Sequence, residues 1–323
     1  MAAIAEAAAV IRDGGLVAVP TETVYGLAAD ATNPAAVAGI YAAKGRPSFN
    51  PLIVHVADLE AAERIAVFDA DARALAAAFW PGPLTLVLPL RADAGIAALV
   101  TAGLDTIAIR VPRHRAMQAL IAASGRPLAA PSANASGGIS PTTVAHVAAS
   151  LGRNAPLILD DGATEAGLES TIVMGRSVLR PGPVTSADIL KLFPGEGRGP
   201  GGEVALTADD VPHERPPTGP RPSPGNERLV TAPGQLESHY APTKPLRLNA
   251  TEAADDEWLI GFGAVAGDVT LSAAGDLIEA AARLFDLLHV ADANASARIA
   301  VAPVPADGIG EAINDRLRRA AHR

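Results

Sequence analysis

The amino-acid sequence predicts an α/β protein built as two units with a linker between them. Three observations point there. Over residues 1–195, short β-branched apolar runs alternate with Ala-rich stretches of helical spacing, the pattern of a mixed layer domain. Residues 196–243 hold nine prolines and seven glycines, 16 of 48 positions, which is too many for a packed element. From residue 244 to 323 strand and helix signals alternate again, the order of a small parallel α/β unit. At 323 residues the chain has room for about two domains.

Taken in order, residues 1–11 are Ala-rich, carry Glu6 and lack a basic leader, so they read as an amphipathic helix and not as a signal peptide. Strands are expected at 16–20, 51–56, 85–90, 106–111, 157–159 and 170–173, where β-branched and apolar residues cluster between turn signals. Helices are expected at 35–43, 59–65, 70–79, 115–124 and 142–151, where apolar residues recur at three and four. Residues 178–182 pair with 170–173 as a hairpin. In the second unit, 245–248, 257–262 and 297–303 read as strands, and 275–288 and 308–321 as helices. The expected boundaries are therefore 1–195, 196–243 and 244–323. No fixed-period repeat is visible, and no apolar run reaches the ~18 residues that span a bilayer, so the expected location is cytoplasmic.

Composition excludes several classes. Apolar residues make up 49% and charged residues 19%, enough for a core. The absence of cysteine removes disulfides, thiolate nucleophiles and Cys-based metal sites. A formal charge of −9 argues against a broad nucleic-acid surface. That charge is uneven: residues 1–195 carry −2, the linker −3 and residues 244–323 −4. A small cationic pocket in the first unit remains compatible with it. No P-loop, dinucleotide fingerprint, nucleophile elbow or metal-spaced His pair occurs.

The chemistry-bearing residues sit in loops at strand ends. Pro20–Leu27 offers three hydroxyl groups and Glu22 after the first strand, where open α/β sheets bind ligands. Lys44 and Arg46 flank Gly45 ahead of Pro47, so both cations can meet one anion, Arg as a planar fork and Lys as a point charge. His55 follows on an apolar strand. Trp80–Thr85 reads as structural punctuation. Arg110 ends a buried strand and needs a partner, which a ligand carboxylate or an internal Glu or Asp would supply equally. Pro131–Thr142 is rich in Ser, Asn and Gly, letting a ligand approach backbone. The set suits binding of a phosphorylated substrate and charge stabilisation without a covalent intermediate.

Together and in this order, Pro20–Leu27, Lys44–His55, Trp80–Thr85, Thr106–Pro112, Pro131–Thr142, Glu169–Val173 and Leu179–Gly182 resemble the threonylcarbamoyl-AMP synthase family, the YrdC-like domain in its longer two-domain form. Residues 232–242 resemble the family's linker motif and 299–314 its C-terminal domain. The resemblance implies a twisted mixed sheet with helices around a concave cavity, followed by a small Rossmann-like unit. It implies condensation of L-threonine, bicarbonate (or CO2) and ATP to threonylcarbamoyl-adenylate with release of pyrophosphate. Other proteins would then carry the group to a tRNA adenosine. The family's catalytic tetrad falls on Lys44, Arg46, Ser132 and Asn134. Its threonine contacts fall on Thr23, His55, Arg110, Ala130 and Ser170. Its nucleotide contacts fall on Arg46, Asn50, Thr106, Ser132, Ser140 and Arg180, with Tyr240 and His239 brought over the site by the linker. Mg2+ is expected on the ATP phosphates, largely through water, with no protein carboxylate cage.

Two other readings compete. Carbamoyl transfer in hydrogenase maturation uses the same domain beside zinc-binding cysteines, which this chain lacks. A non-enzymatic RNA-binding or regulatory module would use the same basic cavity, but aromatic residues for base stacking make up only 3%.

Overall fold

A computed structural model of the protein describes residues 2–193 and 239–322. The expected linker falls outside the described residues except for 239–243.

The first unit is organised on a nine-stranded mixed sheet. Its strands in chain order are β1 (Val17–Pro20), β2 (Tyr25–Asp30), β3 (Ile53–His55), β4 (Leu84–Pro89), β5 (Thr106–Arg110), β6 (Leu128–Ala129), β7 (Leu157–Ile158), β8 (Thr171–Met174) and β9 (Ser177–Arg180). Across the sheet they run β7-β1-β2-β6-β3-β5-β4-β8-β9. The centre is mixed: β3 lies parallel to β5, and β5 antiparallel to β4. The hairpin expected from Glu169 onwards is β8 with β9, antiparallel with an irregular register between Ile172 and Val173.

Helices cover the sheet where the apolar spacing requires it. Helix α1 (Ala2–Arg12) and α6 (Arg115–Ser124) bury Ile11, Met117 and Leu120 against β1, β2 and β6. Helix α2 (Pro34–Lys44) starts where Asn33 accepts two backbone N–H bonds and Pro34 fixes the first turn. It ends where Gly45 turns left-handed at φ +59°. Its Val37 and Ile40, with Leu75 of α4 (Ala70–Phe79), pack on Leu86, Ile107 and Ile109. A separate small cluster of Ile53, Val87, Ala108 and Ile172 floors the side of the sheet that faces the cavity described below.

Residues 246–322 form a four-stranded all-parallel sheet: β10 (Leu246–Arg247), β11 (Glu257–Gly261), β12 (Val269–Thr270) and β13 (Arg298–Val301), ordered β10-β13-β11-β12. Helices α9 (Leu277–Ala293) and α10 (Gly310–Ala321) bury Leu284, Phe285, Leu288, Ile313 and Leu317 over it. Each such side chain contributes about 2–3 kcal/mol of burial.

Strand β2 starts inside what the sequence suggests is only a polar turn and runs on to Asp30, because Tyr25 and Gly26 carry no strand periodicity of their own. The short elements β6, β12, α5 (Ala98–Thr101), α3 (Leu59–Glu63) and α8 (Ser186–Lys191) give too few positions for a period to register. Of these five, only α3 is foreseen.

The two units share a packed boundary. Val24, Ile139 and Leu168 of the first unit belong to the apolar cluster of the second. Gly167, at φ +65°, lies so close to α9 that a Cβ there would come within 2.6 Å of the Ala281 and Ala282 carbonyl oxygens. His146, on α7 (Val144–Leu151), stacks on His289 of α9 with ring centroids 3.9 Å apart. His289 Nε2 lies 3.2 Å from the Ser140 carbonyl oxygen.

Candidate active site

The ends of β1, β3, β5 and β9, the loop after β6 and the residues leading into β8 enclose a cavity in which three guanidinium groups face inward. It is lined by Arg46, Arg110 and Arg180, by Thr21, Thr23, His55, Ser132 and Ser170, and by Glu169, His239 and Tyr240. With His239 and Tyr240 seated over it, the space left inside is about 50 Å³, room for a few water molecules.

At one end the sequence motif Thr21-Glu22-Thr23 makes a tight turn into β2. Thr21 Oγ1 sits 2.7 Å from Thr23 Oγ1 and donates to the Val24 carbonyl. This places Thr23 to accept from Arg110 Nη1 at 2.9 Å. Arg110 Nε donates to the Gly82 carbonyl at 3.0 Å, and Nη2 pairs with Glu22 Oε1 at 2.7 Å. Both partners of the pair are buried. Glu22 also accepts from the backbone N–H groups of Arg113 and His114. Burial opposes ionisation of Glu22, but the Arg110 charge and these hydrogen bonds overcome it and bring the pKa down to about 2. The partner Arg110 requires is therefore internal. A guanidinium carries five N–H groups, so two remain for a ligand carboxylate.

His55, beside Arg110 in the β3–β5 register, is buried, and burial followed by the Arg110 charge pushes its pKa down to about 3. Its ring is neutral at pH 7, and Nδ1 has no protein partner. Ser170 completes this end, its hydroxyl 2.7 Å from Thr85 Oγ1. Ala130 lines the wall opposite Gly26.

The other end gathers cations. Arg46 reaches in from the turn after α2, donating to the Pro51 carbonyl at 2.9 Å, with its pKa brought down to about 10 chiefly by burial. Arg180, at the end of β9, donates to the Ser170 carbonyl at 2.9 Å and the Ser170 hydroxyl at 3.2 Å. Asn50 is buried at 1% exposure, and neither atom of its side-chain amide has a protein partner. The Tyr240 hydroxyl is likewise buried without a partner. Buried polar atoms are nearly always satisfied, so these orphans mark places where a polar ligand atom fits. Tyr240 adopts φ +64°, and its chain is tied to the first unit where Ala241 N–H donates to Gly137 O at 2.8 Å.

Not every expected site residue lines this cavity. Asn50 is buried beside Arg46 but is not part of the lining, and Lys44 and Asn134 lie behind the wall. The Lys44 ammonium donates to the carbonyls of Ser132 and Asn134 and, at 3.4 Å, to Asn134 Oδ1. The Asn134 amide in turn donates to Ala135 and Gly138 carbonyls at 2.8 Å. Together they pin the loop that presents Ser132. Burial, and then the Arg46 charge, hold the Lys44 pKa well below its ordinary value. Ser140 is fully buried and donates its hydroxyl to Glu169 Oε1. Thr106 opens β5 on the same side of the sheet as Ala108 and Arg110, roughly 13 Å along the strand from Arg110.

The sequence singles out Glu22 in its polar turn but does not assign it to Arg110, although a buried Arg needs an acid. Glu169 appeared only as the start of a hairpin segment. Arg316, on α10, carried no sequence signal, because its partner Glu169 is 147 residues away. Among the described residues no group of three or more His, Cys, Asp or Glu side chains could hold a metal ion.

The family described as "Telomere recombination" matches residues 9–182, and the one described as "Threonylcarbamoyl-AMP synthase, C-terminal domain" matches residues 208–322. A threonylcarbamoyl-AMP synthase of Bacillus subtilis is 40% identical over 98% of this chain and 92% of its own length. The chain belongs to the threonylcarbamoyl-AMP synthase family. A family member from Pyrococcus abyssi is 37% identical over 98% of this chain and 93% of its own. The crystal structure of P. abyssi Sua5 complexed with L-threonine superposes with a TM-score of 0.81 and 36% identity, covering 98% of this chain and 94% of that one. The family's mixed α/β architecture is therefore present throughout, including the second parallel unit.

Proposed function

We propose that this protein is a nucleotidyltransferase that condenses L-threonine, bicarbonate (or CO2) and ATP into threonylcarbamoyl-AMP and releases pyrophosphate, the first step towards threonylcarbamoyladenosine in tRNA. The observation that carries the reading is the polarity of the cavity. One end holds Arg110, Thr23, Ser170 and a neutral imidazole, a set for an amino acid. The other holds Arg46, Arg180 and the unpartnered Tyr240 hydroxyl, a set for a nucleotide.

The remaining N–H groups of Arg110 take the threonine carboxylate, while His55 supplies a hydrogen bond without adding charge. The threonine amine adds to CO2, losing a proton, to give a carbamate. A carbamate oxygen then bonds to the ATP α-phosphorus as the bond to the β-phosphate oxygen breaks and pyrophosphate leaves. Arg46 and Arg180 balance the charge that builds up on the phosphates. Ser132, held in place by Lys44 and Asn134, supplies an uncharged donor beside them. Mg2+ supplies further charge neutralisation on the ATP phosphates. Glu169, the carboxylate lining the cavity, has its oxygens taken by Ser140 and Arg316, so the ion would be held by phosphates and water. His239 and Tyr240 border the cavity, and seated over bound substrates they would help exclude water from a hydrolysable product. The product would pass to the proteins that modify tRNA in the cytoplasm.

The test is mass-spectrometric detection of threonylcarbamoyl-AMP from ATP, L-threonine and 13C-bicarbonate, with the label in the product. Pyrophosphate release that ignores threonine, or no labelled product, would overturn the reading.

A further inference from the structure

We propose that Arg316, supplied by the C-terminal helix α10, is a positioning residue of the nucleotide end of the cavity: it fixes Glu169 and Tyr240 and thereby leaves Arg180 available to an anion. The proposal rests on the reading of the cavity given above.

Arg316 is completely buried and is among the largest side chains that are. Burying a guanidinium costs more than burying an apolar side chain of the same size, so packing alone does not explain it. Its contacts point across the boundary between the two units. Nε donates to Glu169 Oε2 at 2.9 Å, and Nη1 to Asp315 Oδ2 at 2.8 Å. Asp315 is itself held by Arg319 Nε at 3.0 Å. The guanidinium carbon lies 5.3 Å from the centre of the Tyr240 ring, within cation–π range. Nη2 has no protein partner.

The consequence is a division of charge. Glu169 shares the cavity lining with Arg180, and a carboxylate there would neutralise Arg180 if it were free to do so. Arg316 takes one oxygen of Glu169 and the Ser140 hydroxyl takes the other. Arg180 donates to Ser170 and makes no ion pair with a carboxylate among the described residues. Glu169 and Asp315 act on Arg180 only through space, without a direct ion pair, so its N–H groups stay open to phosphate. Tyr240, between the Arg316 guanidinium and the Phe285 ring 5.5 Å away, is held over the same end. The C-terminal unit therefore supplies part of the site's electrostatics as well as a wall.

The test measures ATP affinity by calorimetry, and the KM values for ATP and for threonine, in full-length wild type, R316M, R316K and the double variant E169Q/R316M. In R316M the uncompensated Glu169 turns on Arg180, and ATP affinity and KM should worsen by about tenfold, with the threonine KM within about twofold of wild type. R316K should recover part of the loss, and E169Q/R316M should bind ATP better than R316M, since the stray carboxylate is gone. Equal worsening for both substrates, no change in ATP affinity, or no gain from adding E169Q would overturn the proposal and leave Arg316 a packing residue. If R316M does not fold, an ATP affinity of R316K equal to that of wild type would overturn it, and a loss of about threefold or more would support it. Failure of wild type itself to form product would count against the proposed function, while the ATP affinities would still decide the role of Arg316.

Discussion

Replacing Glu22 with alanine should unfold this protein more readily than its position in a surface-connecting turn suggests. The substitution strips Arg110 of its ion-pair partner at 2.7 Å, with both groups almost fully buried. Removing one member of a buried pair leaves an uncompensated charge and typically costs about 3–5 kcal/mol. A second route reaches the same size. The Glu22 pKa falls from 4.5 to about 2 on folding, and at 1.36 kcal/mol per unit that is roughly 3 kcal/mol. For a domain of this size a loss of about 3 kcal/mol lowers Tm by roughly 6–12 °C. Because the folded pKa is the lower one, this stability is fully present above pH 4.5 and disappears as pH falls towards 2. Urea melts of wild type, E22A, R110A and E22A/R110A at pH 7 measure it as a double-mutant cycle. The double variant should lose much less than the two single losses combined. An E22A variant within about 1 kcal/mol of wild type, or a cycle showing no coupling, would refute the ion pair as the organiser of this end of the cavity.

Other expectations follow from the same geometry. Lys44→Ala and Arg46→Ala should each abolish ATP- and threonine-dependent pyrophosphate release in folded protein, the first by freeing the Ser132 loop and the second by removing a cavity cation; full activity in either would contradict the assignment. Asn50→Ala removes a buried amide with no partner, so stability should hold or rise by up to about 1 kcal/mol while the ATP KM rises about tenfold; a stability loss with unchanged KM would make Asn50 structural. Burial, with the His146 ring adding to it, holds the His289 pKa down to about 4 against an ordinary 6.5, although Asp286 and Asp292 pull the other way. The unfolded state therefore takes the proton first, so stability should be full above pH 6.5 and fall as the pH drops towards 4. Urea midpoints at pH 7.5 and 5 should differ more for wild type than for His289→Gln. Gly167→Val, whose side chain would enter the α9 backbone, should separate the units in small-angle scattering and depress turnover, and unchanged scattering would show that the boundary adapts.

Much of this was legible along the chain. Helix α6 begins and ends where its apolar spacing says, and the cavity residues Arg46, Arg110, Ser132, Ser170 and Arg180 all fall in loops or strand ends that the sequence singled out. Their types carried the chemistry, because cations beside hydroxyl and amide donors suit phosphate and carboxylate whatever the fold. Residue type left open which of these groups would be spent inside the protein. Arg110 could have waited for a ligand or paired internally, and the approach of the Glu22 turn settled it. Lys44 and Arg46, two residues apart, look equivalent in sequence, yet one is enclosed by carbonyl oxygens behind the wall and the other faces the cavity. Arg316 is the extreme case: nothing near it in sequence needs a cation, and only the docking of α10 against the first unit brings it to Glu169. Short-range pattern determines helices, strands and the local inventory of charges, since these depend on neighbours a few residues away. Which charges neutralise one another depends on contacts between segments far apart in the chain, 88 residues for Glu22 and Arg110 and 147 for Glu169 and Arg316, and only the folded chain decides those.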